Sequence, residues 1–453
     1  MKPLVIRSAI VASLGGLIFG FDTAVISGTT ESLKRVFTLD DAGLGITVTT
    51  ALVGTIIGAA TAGKPMDQFG RKKVLTAIGI LYVLGALGSA FAPSYIVFVI
   101  ARVLGGIGVG ASSVCAPVYT AEVAPPAHRG RLVGLVQFNI VLGILVAYLS
   151  NFIIRLLVPE AVAWRWMLGV MAVPAVIFLV LLATVPETPR WLMAVGREDE
   201  ARATSLRLCE TEEESATQIQ EIRDQIAADA DMKKAPFFVR RNMKVILLAF
   251  AIAMFNQLSG INAVLYYAPV VMERAGASAN SAYLMSVGVG LMNLVATMAA
   301  LTVIDKIGRR TLMIVGSIGY LVSLGFLSAI MFSYEGHFDA TSSVLVLVGL
   351  MAFIAAHAFG QGSVIWVFIS EIFPNRIRGR GQSLGSMTHW VFAAIVSFAF
   401  PPIIGALGGG VAFLIFFVCM VGQLIWVLRV MPETKGVPLE EMEARLGLTG
   451  MED

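Results

Sequence analysis

The chain is predicted to be an all-α membrane protein. Twelve transmembrane helices form two pseudo-symmetric six-helix bundles joined by a short cytoplasmic helical linker. Three observations predict this. Hydrophobic residues make up 57% of the 453 positions and charged residues 14%, against about 25% charged in an ordinary soluble protein. Twelve apolar stretches approach or exceed the length that a helix needs to cross the hydrocarbon core, about 20 residues for about 30 Å. Charged motifs recur in the two halves of the chain at nearly one spacing.

Composition narrows the function before any motif is read. With a mean hydropathy of +0.82 there is too little polar surface to coat a soluble body. A disordered chain, a disulfide scaffold and a nucleic-acid binder are excluded on the same ground. The formal net charge of +3 points to no macromolecular partner, and a monomer is expected. Of the three cysteines, Cys115 and Cys419 lie in apolar stretches and Cys209 in a charged one, so no pairing is argued. No Asn-x-Ser/Thr sequon occurs, which fits a bacterial inner-membrane protein.

The spans follow in order. The first covers 7–29. Lys2 and Arg7 ahead of an apolar run resemble a signal peptide, but the run continues past Gly28 with no small-residue cleavage site, so the span is expected to be retained. Next come 44–65, 74–92, 95–121, 132–155 and 163–185, and after a break 243–271, 281–304, 311–333, 344–370, 381–405 and 408–431. Basic residues sort to one side. Arg71, Lys72 and Lys73 lie between spans 2 and 3, Arg129 and Arg131 between 4 and 5, Lys306, Arg309 and Arg310 between 8 and 9, and Arg376, Arg378 and Arg380 between 10 and 11. The excess of Lys and Arg marks the cytoplasmic side and puts both termini there, with Lys34 and Arg35 as exceptions.

The break between spans 6 and 7 is polar. Residues 186–244 hold 10 Lys/Arg and 12 Asp/Glu, and segments such as Glu198–Arg202 read as short soluble helices. The expected division is an N-terminal bundle at 1–185, a linker at 186–242, a C-terminal bundle at 243–431 and a tail at 432–453. The linker is a solvated loop or a helical lid bracing the cytoplasmic side.

Internal repetition is the strongest architectural signal. Asp67-Gln-Phe-Gly-Arg71 matches Asp305-Lys-Ile-Gly-Arg309, 238 positions later. Glu122 with Arg129-Gly-Arg131 matches Glu371 with Arg378-Gly-Arg380, 249 positions later. Pro186-Glu-Thr188 matches Pro432-Glu-Thr434, 246 positions later. Parallel six-span repeats are the plan of transporters whose substrate sits between halves near the midplane. The repeated acids and arginines lie at cytoplasmic span ends, where ion pairs can latch the halves in one state and part in another. Each exposed pair contributes only about 0–1 kcal/mol, but several together bias an equilibrium of a few kcal/mol.

An ionisable residue inside a span is a functional hypothesis by default. Asp22 stands mid-span in Gly20-Phe-Asp-Thr-Ala-Val-Ile-Ser-Gly28, and Arg102 lies just ahead of the glycine run Gly105-Gly-Ile-Gly-Val-Gly110 of span 4. Those glycines permit close helix approach. If Asp22 meets Arg102 in one conformation and loses it in another, its hold on a proton alternates with the cycle. The alternative is a static pair joining two helices. Span 7 carries Asn256-Gln257-Leu-Ser-Gly260-Ile-Asn262 with Pro269 beyond, and Gly260 and Pro269 predict irregular backbone lining a cavity. Uncharged amides beside aromatics suit polyol hydroxyls, because amides donate and accept while ring faces cover C–H groups. Gln137, Asn139, Asn293, Trp366, His389 and Trp390 extend that set.

Taken together, these motifs resemble the sugar porter family of the major facilitator superfamily over nearly the whole chain. Pro186-Glu-Thr-Pro-Arg-Trp191 and Pro432-Glu-Thr-Lys-Gly436 add to the likeness, and the pattern is closest to the bacterial xylose–proton symporters. The resemblance implies that Asp22 is the proton-coupling aspartate and Arg102 its partner. It places Gln137, Gln257, Asn262, Asn293, Trp366 and Trp390 at sugar-contacting positions and Phe19 on an aromatic lining the site. It places Glu122, Arg129, Glu371 and Arg378 in a cytoplasmic gate network, with Asp67, Arg71, Asp305 and Arg309 beside them. The chain departs from the family's usual pattern at Asn256, where a Gln is usual, and at Met171, where the xylose symporters carry an acid. It departs again at Gly360-Gln361-Gly362, which lacks the common Gly-Pro. His357 replaces a Phe and His389 a Gln, and either imidazole can select a sugar, sense pH or serve as a neutral polar contact.

The expected function is proton-coupled import of a neutral monosaccharide or related polyol. No nucleophile constellation, metal-ligand cluster or phosphate loop occurs, so neither an enzyme nor a cofactor is expected, and the proton is the coupling ion. A uniporter uses the same site without coupling. A drug–proton antiporter would have a more apolar pocket, and a non-transporting sugar sensor would need a signalling domain or long tail.

Overall fold

The structure is a computed structural model that describes residues 1–125, 128–232, 236–374, 377–437, 442 and 445–446, with the side chains of 228–232 and 305 outside the description. Among the described residues, 11 helical segments are long and apolar enough to cross a membrane. The last of them is two helices, because Gly408 interrupts it at φ 81°, ψ 167°. The twelve expected spans are therefore all present. They are α1 (Pro3–Val25), α2 (Asp41–Thr61), α3 (Arg71–Ala90), α4 (Tyr95–Val123), α5 (Arg129–Leu157) and α6 (Glu160–Leu182). After the linker come α7 (Arg240–Arg274), α8 (Ala279–Ile307), α9 (Arg309–Ser333), α10 (Ala340–Ile372), and α11 and α12, which share Arg378–Arg429. Several helices extend a few residues beyond the apolar stretches that announced them. Their end turns are polar, so hydropathy cannot see them.

The outer faces explain the composition. Ile80 and Leu84 on α3, Val173 and Val180 on α6, and Val322 on α9 are all exposed. A helix wall of this kind is stable against lipid, where its backbone groups are satisfied internally.

Two compact units divide the contacts. Unit 1 contains Met1–Val25, Thr50–Ala147 and Pro159–Lys234, and unit 2 contains Ile26–Thr49, Tyr148–Val158 and Ala235–Asp453. In unit 1, α2 and α4 touch backbone to backbone: a Cβ on Gly106 would lie 1.9 Å from the Ala51 carbonyl oxygen. Unit 2 is built around a core that includes Ala249 and Ile252 of α7, Leu312 of α9, Phe368 of α10 and Val427 of α12. Within the same unit, Tyr148 donates its hydroxyl to the Leu265 carbonyl and Tyr283 to the Gly28 carbonyl, both at 2.6 Å.

The linker is helical rather than a plain solvated loop. Pro189–Ala194, Glu198–Leu208 and Glu212–Met232 are helices, and Trp191, Leu192, Ala201 and Ile219 bury a small core of their own. The start of the chain is tied to them: Lys2 Nζ donates to the Leu206 carbonyl at 2.7 Å, and the terminal ammonium pairs with Glu210.

Candidate functional site: a buried ion pair, a cluster of amides and two matching charge nodes

The ion pair lies in unit 1. Arg102 Nη1 donates to Asp22 Oδ1 at 2.7 Å and Nη2 to Oδ2 at 3.4 Å. Only 4% of the arginine side chain and 5% of the aspartate side chain are exposed. Arg102 Nε is buried with no acceptor among the described residues, so the guanidinium is held through its two terminal nitrogens alone. A buried pair of this kind is a poor source of net stability, and removing one partner leaves an uncompensated charge. The pair sets one carboxylate against one cation, both shielded from solvent. On the same unit Phe19 is half-buried on α1 and Gln137 half-buried on α5. The Gln137 side chain makes no hydrogen bond among the described residues, whereas Asn139 donates to Ser13 Oγ at 3.0 Å. Met171 is buried at the junction between the two segments of α6.

The amides lie in unit 2. The expected irregularity of α7 is real. Met243–Leu258 ends and Ile261–Arg274 begins around Gly260, whose φ is +87°, and Tyr267 leaves helical geometry two residues before Pro269. On an unbroken helix Gln257 and Asn262 would diverge. The left-handed glycine turns them together, and Asn262 Nδ2 donates to Gln257 Oε1 at 2.9 Å. Gln257 Nε2 donates to Asn256 Oδ1 at 2.9 Å and also faces the His389 ring at 3.3 Å. The His389 ring centroid lies 5.2 Å from that of Trp366 and 4.8 Å from that of Trp390. Trp390 is buried, while Trp366 remains 37% exposed. Asn293 on α8 is buried and accepts from Thr297 at 3.5 Å. His357 Nδ1 meets the Tyr320 hydroxyl at 2.6 Å, so this imidazole is bound to a phenol rather than to the amide cluster. Three polar residues that sequence reasoning leaves out of the site are Gln361, Gln423 and Ser317, all fully buried. A signal was available: each is a polar group inside an apolar span.

The repeated charges form two nodes of one design, one in each unit. Arg71 Nη2 lies 3.0 Å from Glu122 Oε1, and Arg309 Nη2 lies 2.8 Å from Glu371 Oε1. Thr188 and Thr434 each donate a hydroxyl to that same acid at 2.6 Å. Glu187 accepts the backbone N–H groups of Arg71 at 3.1 Å and Lys72 at 3.0 Å, and Glu433 accepts those of Arg309 at 3.0 Å and Arg310 at 3.1 Å. These acids supply the caps that the first turns of α3 and α9 need, and their charge suits a helix N-terminus. Gly70 and Gly308 precede those turns at φ 96° and 104°, and a Cβ there would strike the capping carboxylates. Burial pushes the Glu187 carboxyl up from its ordinary value, opposed by the N–H donors of Thr188, Lys72 and Arg71.

The remaining gate candidates behave differently. Asp67 reaches Arg71 at 3.4 Å with its side chain 72% exposed. Arg129 Nε donates to the Ala121 carbonyl at 3.1 Å. Arg378 Nε and Nη2 are buried without an acceptor among the described residues. The side chain of Asp305 lies outside the described residues. Glu187, Thr188, Glu433 and Thr434 are visible as a repeat in the sequence, but their capping role emerges only when α3 and α9 are in place.

Comparison with known proteins bears on these arrangements. The family profile described as "Sugar (and other) transporter" matches residues 8–446. The chain is 36% identical to the D-xylose-proton symporter of Escherichia coli (strain K12), with 96% of this chain and 94% of that protein covered. It is 32% identical to the arabinose-proton symporter of Bacillus subtilis (strain 168), with 97% and 94% covered. It is 34% identical to a glucose transport protein of Synechocystis sp., with 95% of each covered. Its structure matches that of the E. coli xylose transporter XylE in an inward open conformation with a TM-score of 0.85, at 34% identity over 97% of this chain and 99% of that one. A multi-pass membrane carrier rather than an enzyme is what the spans and the motifs implied, and with these matches the chain belongs to the sugar (and other) transporter family.

Proposed function

We propose that this protein carries a neutral monosaccharide, a pentose or hexose, or a related polyol into the cell together with a proton, by alternating access. The observation that carries this reading is the pairing of buried Asp22 with buried Arg102 at 2.7 Å. A buried carboxylate held against a buried guanidinium inside the membrane-spanning helices is the arrangement that coupling to a proton requires. Two relatives are named as proton symporters of pentoses, which supports the coupling. A proton crossing 100 mV supplies about 2.3 kcal/mol, enough for roughly fifty-fold accumulation.

In this reading Gln257, Asn262, Asn256, Asn293 and His389 supply hydroxyl contacts, and Phe19 and Gln137 are further substrate-binding residues. Trp366 and Trp390 cover the apolar face of the sugar, and His357 shapes the pocket through Tyr320. The bundles are 1–185 and 243–431, the linker is 186–242, and the tail is 432–453. Glu122 and Glu371, each paired here with an arginine of its own half rather than of the other, are the acids that would have to exchange partners in a cytoplasmic latch. Both termini face the cytoplasm of a bacterium, and the carrier works as a monomer in its inner membrane. The test is uptake of radiolabelled pentoses, hexoses and inositols into proteoliposomes with and without an inward pH gradient. Concentrative uptake that needs the gradient supports symport; uptake that equilibrates regardless of it points to a uniporter.

A further inference from the structure

The amides of unit 2 are one directional chain. Asn262 Nδ2 donates to Gln257 Oε1 at 2.9 Å, and Gln257 Nε2 to Asn256 Oδ1 at 2.9 Å. Asn256 Nδ2 then donates to Gln361 Oε1 at 3.4 Å, Gln361 Nε2 to Gln423 Oε1 at 2.8 Å, and Gln423 Nε2 to Ser317 Oγ at 2.8 Å. The chain starts on α7, passes through the π-helical turn Ala358–Gly362 of α10, crosses α12 and ends on α9. Asn256, Gln257, Gln361, Gln423 and Ser317 are each at most 2% exposed.

Buried amides need partners, but separate pairs would satisfy them equally well. A series has a further property. An amide can rotate by about 180° and exchange donor for acceptor. Inside a chain, rotating one member sets donor against donor on one side and acceptor against acceptor on the other. The members therefore turn together or not at all, because only the whole series can reverse, with the Ser317 hydroxyl then donating to Gln423, and neighbouring bonds polarise each other. The two ends differ. Ser317 is enclosed, whereas Asn262 Oδ1 accepts nothing among the described residues and Asn262 is the most exposed of the six at 8%.

We propose that Gln423 and Ser317 are positioning residues for substrate recognition. From the far side of α7 and α10 they lock the Asn256 and Gln257 amides into one series, which in the direction seen here leaves the Asn262 carbonyl to accept from a donating sugar hydroxyl. They thereby set which hydroxyl pattern the site prefers, without touching the sugar. The inference rests on the reading that Gln257 and Asn262 contact substrate.

The experiment is a double-mutant cycle on the full-length protein, with D-xylose and D-glucose affinities read from tryptophan fluorescence and Tm measured alongside. Ser317→Ala and Gln423→Leu are each combined with Asn262→Ala. Residues in one network depart from additivity, here by about threefold or more in affinity. The expected result is that each remote change weakens binding, alters the xylose-to-glucose ratio, and loses most of its effect once Asn262→Ala is present. Equal factors in both backgrounds and for both sugars would mean a merely structural role and overturn the relay. Unchanged binding in Asn262→Ala alone would overturn the site reading and the relay together. Should Gln423→Leu fail to fold, the Ser317→Ala arm decides, since it removes only the terminal acceptor.

Discussion

The Thr188 hydroxyl donates to the Glu122 carboxylate at 2.6 Å, in the same node where Arg71 reaches that carboxylate at 3.0 Å. In the second half Thr434 and Glu371 repeat the contact at 2.6 Å. The threonine follows the glutamate that caps α3 or α9, so one dipeptide ties a helix start to the end of the helix after it.

Thr188→Val and Thr434→Val are expected to destabilise by similar amounts. Each threonine is at most 2% exposed and each bond is to a charged acceptor, which is worth about 1.5–3 kcal/mol. Thermal unfolding in detergent measures the loss. A marked fall for one variant and none for the other would break the equivalence of the two nodes.

The legibility of each feature in the sequence depends on the distance a residue acts over. The spans are readable because burial in lipid leaves its mark on every residue of a helix. Asp22 and Arg102 stand out because a charge in an apolar run is costly unless it is paired or used. The Asn262–Gln257 contact is half legible: Gly260 announces a break, but not the left-handed turn that brings the two amides together. The partners of Glu122 are not legible. Arg129 is the nearer arginine in sequence, yet Arg71, 51 positions away, takes the bond, while Arg129 donates to the Ala121 carbonyl. Gln423 reads as a lone amide in an apolar span, since its role depends on Gln361 and Ser317 arriving from other helices.

Asp22→Asn is expected to abolish concentrative uptake while sparing counterflow exchange. The amide keeps the shape and loses the titratable proton. It also leaves Arg102 buried beside a neutral group, which costs up to about 3–5 kcal/mol, so Tm is recorded on the same preparation. Undiminished concentrative uptake in a folded variant would remove Asp22 from the coupling step.

The linker carries its own pH dependence. Glu198 accepts from Arg202 and from Arg223, and the Arg202 hydrogen bond is the largest cause of its carboxyl lying below the ordinary value. A carboxyl lowered on folding contributes stability that is present above its unfolded value, about 4.3, and is lost as pH falls through the folded one. Hydrogen exchange across 198–227 is therefore expected to quicken below about pH 4, after correction for the intrinsic rate. In Glu198→Gln the acid-dependent part shrinks, the remainder coming from Glu210, whose carboxyl the hydrogen bond from the terminal ammonium holds below its ordinary value. An unchanged profile in that variant would show that the group is energetically silent, as exposed pairs often are.

Gly106→Val tests the close packing of α2 on α4, one turn beyond Arg102. A Cβ at position 106 would sit 1.9 Å from the Ala51 carbonyl oxygen and 2.8 Å from its carbon, so the obstacle is backbone and cannot rotate away. The helices must separate, and overpacking of this kind costs about 1–3 kcal/mol or more. Gly63→Ala is the matched control, because nothing lies within 4 Å of a Cβ there. The expected outcome is a large drop in Tm or folded yield for Gly106→Val and little change for Gly63→Ala. Equal behaviour of the two would mean that α2 and α4 are not held at backbone contact.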